Sequence, residues 1–317
     1  MSLSEKDYFV VGEAHSISVN AVMMFEIIKY LNSSQGYRYF VWEVNYELSY
    51  LINEYLNDGD ELLLKKALRQ YGRDREAYLT LFEKLYNLNL SLDENRKIKF
   101  IGIDINTRDK SFVASMQFVK EILTDVKYKG AKEYLHKLNN LYTGDNKKKF
   151  KKEKAKLKNI LSILLEDLSQ NKDQWQEELT SRHFVFEYTV KTLHKSIDID
   201  FRKRDKYMYE NFRTLTNQLR KEKFIILMGS YHTDFREEKT FAHFLADKVG
   251  RGNIFFSTMV YDNSLLKGDY NKEYLKELNI KTKDIIADNA IILPEKDNTS
   301  FDAIFFFRNY PLMTRLK

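Results

Sequence analysis

Apolar residues fall along this chain in two rhythms. Short continuous or period-2 runs predict strands at Tyr8–Val11, Tyr39–Val44, Ile98–Ile105, Phe224–Met228, Ile254–Tyr261, Ala290–Leu293 and Ala303–Phe307. Between the early strands the period lengthens to that of a helix. Val19, Val22, Met23, Ile27 and Leu31 share a face behind Ser18, which reads as an N-cap, and Gly36 ends the pattern. Helical stretches follow at Tyr46–Leu56, closed by Asn57-Asp58-Gly59, at Glu61–Gln70 and at Arg75–Leu88. Strands separated by helices imply βαβ units and a largely parallel sheet.

From 109 to 223 the strand rhythm disappears. Helices are expected at Phe112–Val126, Ala131–Leu141, a Lys-rich stretch to Leu168, Gln174–Leu193 and Phe201–Leu219. The expected architecture is therefore a single α/β domain over 1–317. Its central parallel or mixed sheet is flanked by helices, with 109–223 a largely helical insertion between the early and late strands.

Composition sharpens this picture. Only 11 Gly and 2 Pro occur in 317 residues, against roughly 12% of an average chain. Turn-rich sandwiches and propellers are thereby excluded. With 43% hydrophobic and 14% aromatic residues the chain folds around a sizeable core. Zero Cys removes thiol catalysis, disulfides and Cys–zinc sites. No apolar run approaches the roughly 20 residues of a membrane span. As it stands the chain reads as cytoplasmic. Met1-Ser2-Leu3 resembles an added leader, and a trimmed native signal peptide would make the protein secreted or periplasmic.

The net charge of +6 is modest, and its dense block is Asn146–Lys158, with eight Lys. Phe150, Leu157, Leu161, Leu164 and Leu168 recur there at helical spacing, so the lysines form a solvated helix face. No nucleic-acid-reading motif accompanies them. A small molecule is the expected partner.

The chemistry lies where strands end. Tyr8–Val11 runs into Gly12-Glu13-Ala14-His15, Phe40-Val41-Trp42 into Glu43, Phe100–Ile103 into Asp104, and Phe224–Met228 into Gly229-Ser230-Tyr231-His232. The carboxyl edge of a parallel sheet is where ligands bind. Taken singly, each residue has a structural use: Glu43 paired to Arg38, Asp104 as a helix cap, His232 in the core, His15 as a cap. Together they support two schemes. In one, a carboxylate orients an imidazole that deprotonates water or a hydroxyl, while a second His or an Arg stabilises developing charge. In the other, Glu13, His15, Glu43, Asp104 and His232 supply ligands to a divalent metal. No G-x-S-x-G, H-E-x-x-H, Walker or dinucleotide motif competes.

At these residues the chain resembles the erythromycin esterase-like family, within a wider group that includes haem-uptake and Tiki-like proteins. The resemblance runs in order from Gly12-Glu13-Ala14-His15 through Glu43 and Leu51-Ile52-Asn53-Glu54-Tyr55-Leu56 to Gly59. It continues through Gly102-Ile103-Asp104, Arg204-Asp205-Lys206-Tyr207-Met208-Tyr209-Glu210-Asn211 and His232 to Phe301-Asp302-Ala303. It implies a metal-independent hydrolase of an ester or lactone. His15 would be the base activating water and Glu43 would orient it. His232 and Arg204 would stabilise the oxyanion, with Glu13, Asp104, Asp205 and Ser230 binding or orienting substrate. Two departures stand out. His15 precedes Ser16, where the esterases place the His one residue later and before Gly, and Gly229 replaces the first of two late histidines. Both are similar to the haem-uptake and Tiki-like branch. That branch implies the alternative of a divalent metal or haem held in the same cleft, with His15, Glu43, Asp104 and His232 as ligands.

Overall fold

The computed structural model describes residues 3–73, 75–105, 109–141, 147–219, 221–262, 275–276, 280–281, 285, 289–294, 301–308, 310 and 312–315. Met1 and Ser2, where a leader is expected, lie outside them, as do Asn146 and the side chains of 147–152 in the Lys-rich block.

Seven strands form one sheet: β1 (Tyr8–Glu13), β2 (Tyr39–Asn45), β3 (Lys99–Asp104), β4 (Phe224–Gly229), β5 (Ile254–Asp262), β6 (Asn289–Ile292) and β7 (Ala303–Arg308). Their spatial order is β3-β2-β4-β1-β5-β7-β6. All neighbours are parallel except β6, which lies antiparallel to β7. The fold is thus α/β with a mixed sheet. All seven expected strands are present, each within two residues of its predicted ends. Their alternation is visible in the core. Phe9, Val11, Phe40, Trp42, Ile225 and Leu227 pack into one apolar layer, and Val10, Val41, Ile226 and Met228 into another on the opposite face.

The first layer is covered by α1 (Ser18–Gln35), α2 (Tyr46–Asp58), α3 (Glu61–Gln70) and α4 (Glu76–Leu90). Ser18 is the first helical residue of α1; Ile17 holds the cap position and makes no side-chain cap bond. Gly36 and Gly59 end α1 and α2 in the left-handed region, with φ of 74° and 78°, as their placement in a Gly-poor chain suggested.

β3 is an edge strand, and its exposed backbone is satisfied by side chains. Asn53 of α2 accepts from Phe100 N and donates to Phe100 O, both at 2.8 Å, and Ser49 accepts from Gly102 N. The edge is thereby closed to further pairing.

The long segment between β3 and β4 divides in two. Helices α5 (Asp109–Asp125), α6 (Lys129–Asn139), α7 (Lys147–Gln170), α8 (Lys172–Leu179) and α9 (His183–Ser196) enclose their own apolar core around Trp175, Phe186 and Leu161. α10 (Arg204–Thr216) packs instead on the sheet through Met208 and Phe212. One expected helix, Gln174–Leu193, is interrupted at Thr180, whose φ of 49° breaks the helical path without Gly or Pro. One short helix, α11 (Phe241–Val249), was not anticipated; Thr240 caps it by accepting from His243 N. No helix among the described residues is long and apolar enough to cross a membrane.

Candidate active site

The strand order explains why the sequence-predicted residues meet. β4 lies between β1 and β2, so the carboxyl ends of these three strands, with β3 beside β2, share one edge. Glu13 ends β1, Glu43 lies near the end of β2 and Asp104 ends β3; Ser230–His232 is a short 3-10 turn directly after β4.

Glu43 is the centre. It is 3% exposed, and a carboxylate so buried needs compensation. Its Oε1 accepts from Arg204 Nη2 at 2.6 Å and its Oε2 from the Gly229 amide at 2.8 Å. The two imidazoles flank it: His15 Nε2 and His232 Nε2 each lie 3.6 Å from a Glu43 oxygen. Burial alone would raise the Glu43 pKa. The His15 imidazole, the Arg204 guanidinium and the Gly229 N–H outweigh it and hold the carboxyl well below the usual range.

Each imidazole has its own carboxylate. His15 Nδ1 bonds Glu13 Oε1 at 3.0 Å, and His232 Nδ1 bonds Asp205 Oδ2 at 2.8 Å. The histidines differ in access. His15 keeps 36% of its side chain exposed and His232 12%. Burial of the His15 ring opposes charging, but the Glu13 hydrogen bond and the charges of Glu43 and Glu13 prevail and raise its pKa. For His232 the tautomer follows from Arg204, which can only donate. Arg204 Nη1 lies 3.1 Å from His232 Nε2, so Nε2 carries the lone pair and Nδ1–H donates to Asp205.

Arg204 ties the cluster together. It grips Asp104 bidentately, Nε to Oδ1 at 2.9 Å and Nη2 to Oδ2 at 2.7 Å, besides its bonds to Glu43 and His232. It is 5% exposed, and the two carboxylates push its pKa further upward against the effect of burial. Its partner in sequence, Asp205, accepts from the Phe241 amide at 2.9 Å as well as from His232, fixing α11 to α10. Asn211, one further element of the same motif, donates to Ile103 O and pins α10 beside Asp104.

All eight sequence-predicted side chains lie at this edge, but they do not contribute alike. His15, Glu43, His232 and Arg204 form one connected cluster, with Glu13, Asp104 and Asp205 each bound directly to a member of it. Ser230 contributes through its carbonyl, which accepts from the Thr233 amide and hydroxyl and closes the turn carrying His232. Among the described residues its hydroxyl makes no hydrogen bond. Arg73 was missed. Its Nη2 donates to the Glu43 carbonyl at 3.1 Å, its guanidinium lies over the Trp42 ring, and its charge is felt at Tyr78 and His15.

The glycines account for close approach. A Cβ on Gly229 would stand 3.1 Å from His15 Nε2 and 3.4 Å from Glu43 Oε2, and one on Gly12 would stand 2.4 Å from Thr233 Oγ1. Among the described residues no three His, Asp or Glu side chains converge as metal ligands. The Arg204 guanidinium stands between Glu43, Asp104 and His232 Nε2, where such ligands would have to meet.

A sequence profile described as erythromycin esterase matches residues 33–260, a span that includes Glu43, Asp104, Arg204, Asp205 and His232 but not Glu13 or His15. Three solved structures share the fold. A Bacillus cereus protein superposes with a TM-score of 0.63 at 16% identity, covering 99% of this chain and 91% of that one. The erythromycin esterase EreC, a mutant in its open conformation, gives 0.60 at 15%, covering 97% and 92%. A succinoglycan biosynthesis protein gives 0.60 at 17%, covering 98% and 89%. No curated protein sequence matches the chain.

Proposed function

The chain belongs to the erythromycin esterase family, and on that premise we propose that it hydrolyses an ester or lactone of a small molecule by base-assisted attack of water. One observation carries the reading: His15 has Nδ1 fixed by Glu13 at 3.0 Å while the ring stays 36% exposed, so Nε2 faces the site as a lone pair. A water held there gives its proton to Nε2 as its oxygen bonds the carbonyl carbon. The carbonyl π pair moves onto oxygen. Collapse breaks the bond to the leaving oxygen, which takes the proton back from Nε2. Glu43, kept ionised by Arg204 and Gly229, stabilises the imidazolium that exists between these steps. Arg204 and His232 stand on the far side of Glu43. Arg204 has four of its five N–H groups committed to Asp104, Glu43 and His232, so at most the one left on Nη1 adds to oxyanion stabilisation.

The mechanism uses no metal, since a guanidinium already neutralises the carboxylates that would bind one. The test is a panel of esters and lactones assayed with wild type and with His15→Ala. Turnover by wild type, lost by a factor of about 10² to 10⁴ in the variant, is the expected outcome. Equal rates would remove His15 from the role of base. Elemental analysis and a visible spectrum of the purified protein decide the alternative: stoichiometric metal or a haem band would replace this mechanism with one built on the bound group.

A further inference from the structure

Attack on a carbonyl places a full negative charge on its oxygen, and catalysis depends on donors already aimed at that charge. The buried cation of the site is poorly free to supply them. Arg204 is 5% exposed and spends four N–H groups on Asp104, Glu43 and His232. His232 donates from Nδ1 to Asp205 and accepts at Nε2.

We propose that Arg73 is a catalytic residue, the principal donor to the oxyanion formed when His15 activates water. The assignment rests on the hydrolase reading. Arg73 follows α3 in a loop turned by Gly72, whose φ is 69°. It is half-buried, not sealed in. One Nη2–H reaches the Glu43 carbonyl at 3.1 Å, the guanidinium lies 5.3 Å from the Trp42 ring centre, and its charge is felt at the Tyr78 hydroxyl. Glu43 is therefore held by two guanidinium groups, Arg204 at its carboxylate and Arg73 at its backbone. The remaining N–H groups of Arg73 have no partner among the described residues.

Its spacing from His15 is built in. Ser16, the residue after His15, accepts at its carbonyl from Met313 N at 2.8 Å, and Ile17 forms a bridge with Leu312. Two residues further along the same strap, Thr314 O accepts from Glu76 N at 3.2 Å and Arg315 bridges Arg75. One short segment thus fastens the His15 turn and the Arg73 loop to each other, the condition under which base and oxyanion donor keep a fixed separation. The loop is also tight within itself, Arg73 N donating to Leu68 O at 2.7 Å. The Arg73 charge also lowers the His15 proton affinity that Glu13 and Glu43 raise.

The experiment uses any panel ester or lactone that the wild type turns over. Arg73→Met is expected to lower kcat by about 10² to 10³ with little change in KM, and Arg73→Lys to restore part of the loss, since an ammonium keeps charge without the fork. A phosphonate analogue, whose anionic oxygens imitate the tetrahedral adduct, is expected to lose affinity for Arg73→Met in parallel with kcat/KM. An NMR titration of His15 supplies a readout free of turnover: its pKa is expected to rise in Arg73→Met. Unchanged kcat, unchanged phosphonate affinity or an unchanged His15 titration each overturn the assignment, while the hydrolase reading survives. A wild type that hydrolyses nothing in the panel overturns the hydrolase reading itself.

Discussion

At the scale of single residues, the site is a contest between desolvation and charge. His15 shows it best, because burial would depress its pKa while the Glu13 bond at 3.0 Å and the Glu43 carboxylate raise it. A base works only unprotonated, so hydrolysis is expected to rise with pH and level off above the usual imidazole range. Glu13→Gln removes the charge and much of the hydrogen bond. The acid limb of the pH–rate profile then moves to lower pH, while the plateau falls because the imidazolium loses its counter-charge. The sign for stability follows from the same shift. A folded-state pKa raised above the unfolded value stabilises below the unfolded pKa and fades as pH rises through the folded one. Urea unfolding should therefore show Glu13→Gln losing more stability at pH 5 than at pH 9, and an equal loss at both would remove the linkage.

Elements position these residues through backbone approach, and two glycines separate function from folding. Gly229 lies at the end of β4 in ordinary extended geometry, with φ of −55° and ψ of 139°. Gly229→Ala costs the backbone nothing, but its Cβ falls 3.1 Å from His15 Nε2. The expected result is a large drop in kcat with a melting temperature close to wild type. Gly102→Ala puts a Cβ 2.3 Å from the Asn45 carbonyl, where the β2–α2 junction crosses β3, and the register of β2 and β3 shifts between Trp42 and Asn45. Here the clash is with backbone, so melting temperature is expected to fall first and activity with it.

The same elements show what the sequence carried. The central strands were legible because they are buried on both faces and read as nearly unbroken apolar runs, such as Phe224–Met228, that no helix face imitates. His15, Glu43, Asp104 and His232 were legible because a charge interrupting or ending such a run is conspicuous. α11 was not, since nine residues after a polar loop leave too short a period to register. The helix break at Thr180 has no Gly or Pro to announce it. Arg73 was hidden among Gly72-Arg73-Asp74-Arg75, a polar loop like any surface loop. Its place beside Glu43 depends on tertiary contacts with the Trp42 ring and the β2 backbone.

For the whole molecule, the governing fact is that the site is assembled from segments far apart in the chain. β1 pairs with β4 and β5, elements more than 200 residues later, and the Ser16 turn is fastened to Met313. The +6 charge plays no part in this assembly. The basic helix α7 packs with α5, α6, α8 and α9 in a core of its own, and Lys154 and Lys158 pair with Asp198. The strap is different, because it fastens both the turn that follows His15 and the loop bearing Arg73. Met313→Pro deletes the N–H that satisfies Ser16 and costs about 1 kcal/mol of stability. If the strap merely closed the sheet, the rate would fall no further than that loss of folded protein. Because it sets the separation of His15 and Arg73, kcat is expected to fall by tenfold or more, about 1.4 kcal/mol in the barrier, at temperatures where far-UV circular dichroism shows the variant fully folded. Substituting Lys154 and Lys158 with Gln, on a helix that takes no part in this coupling, should leave kcat where it was.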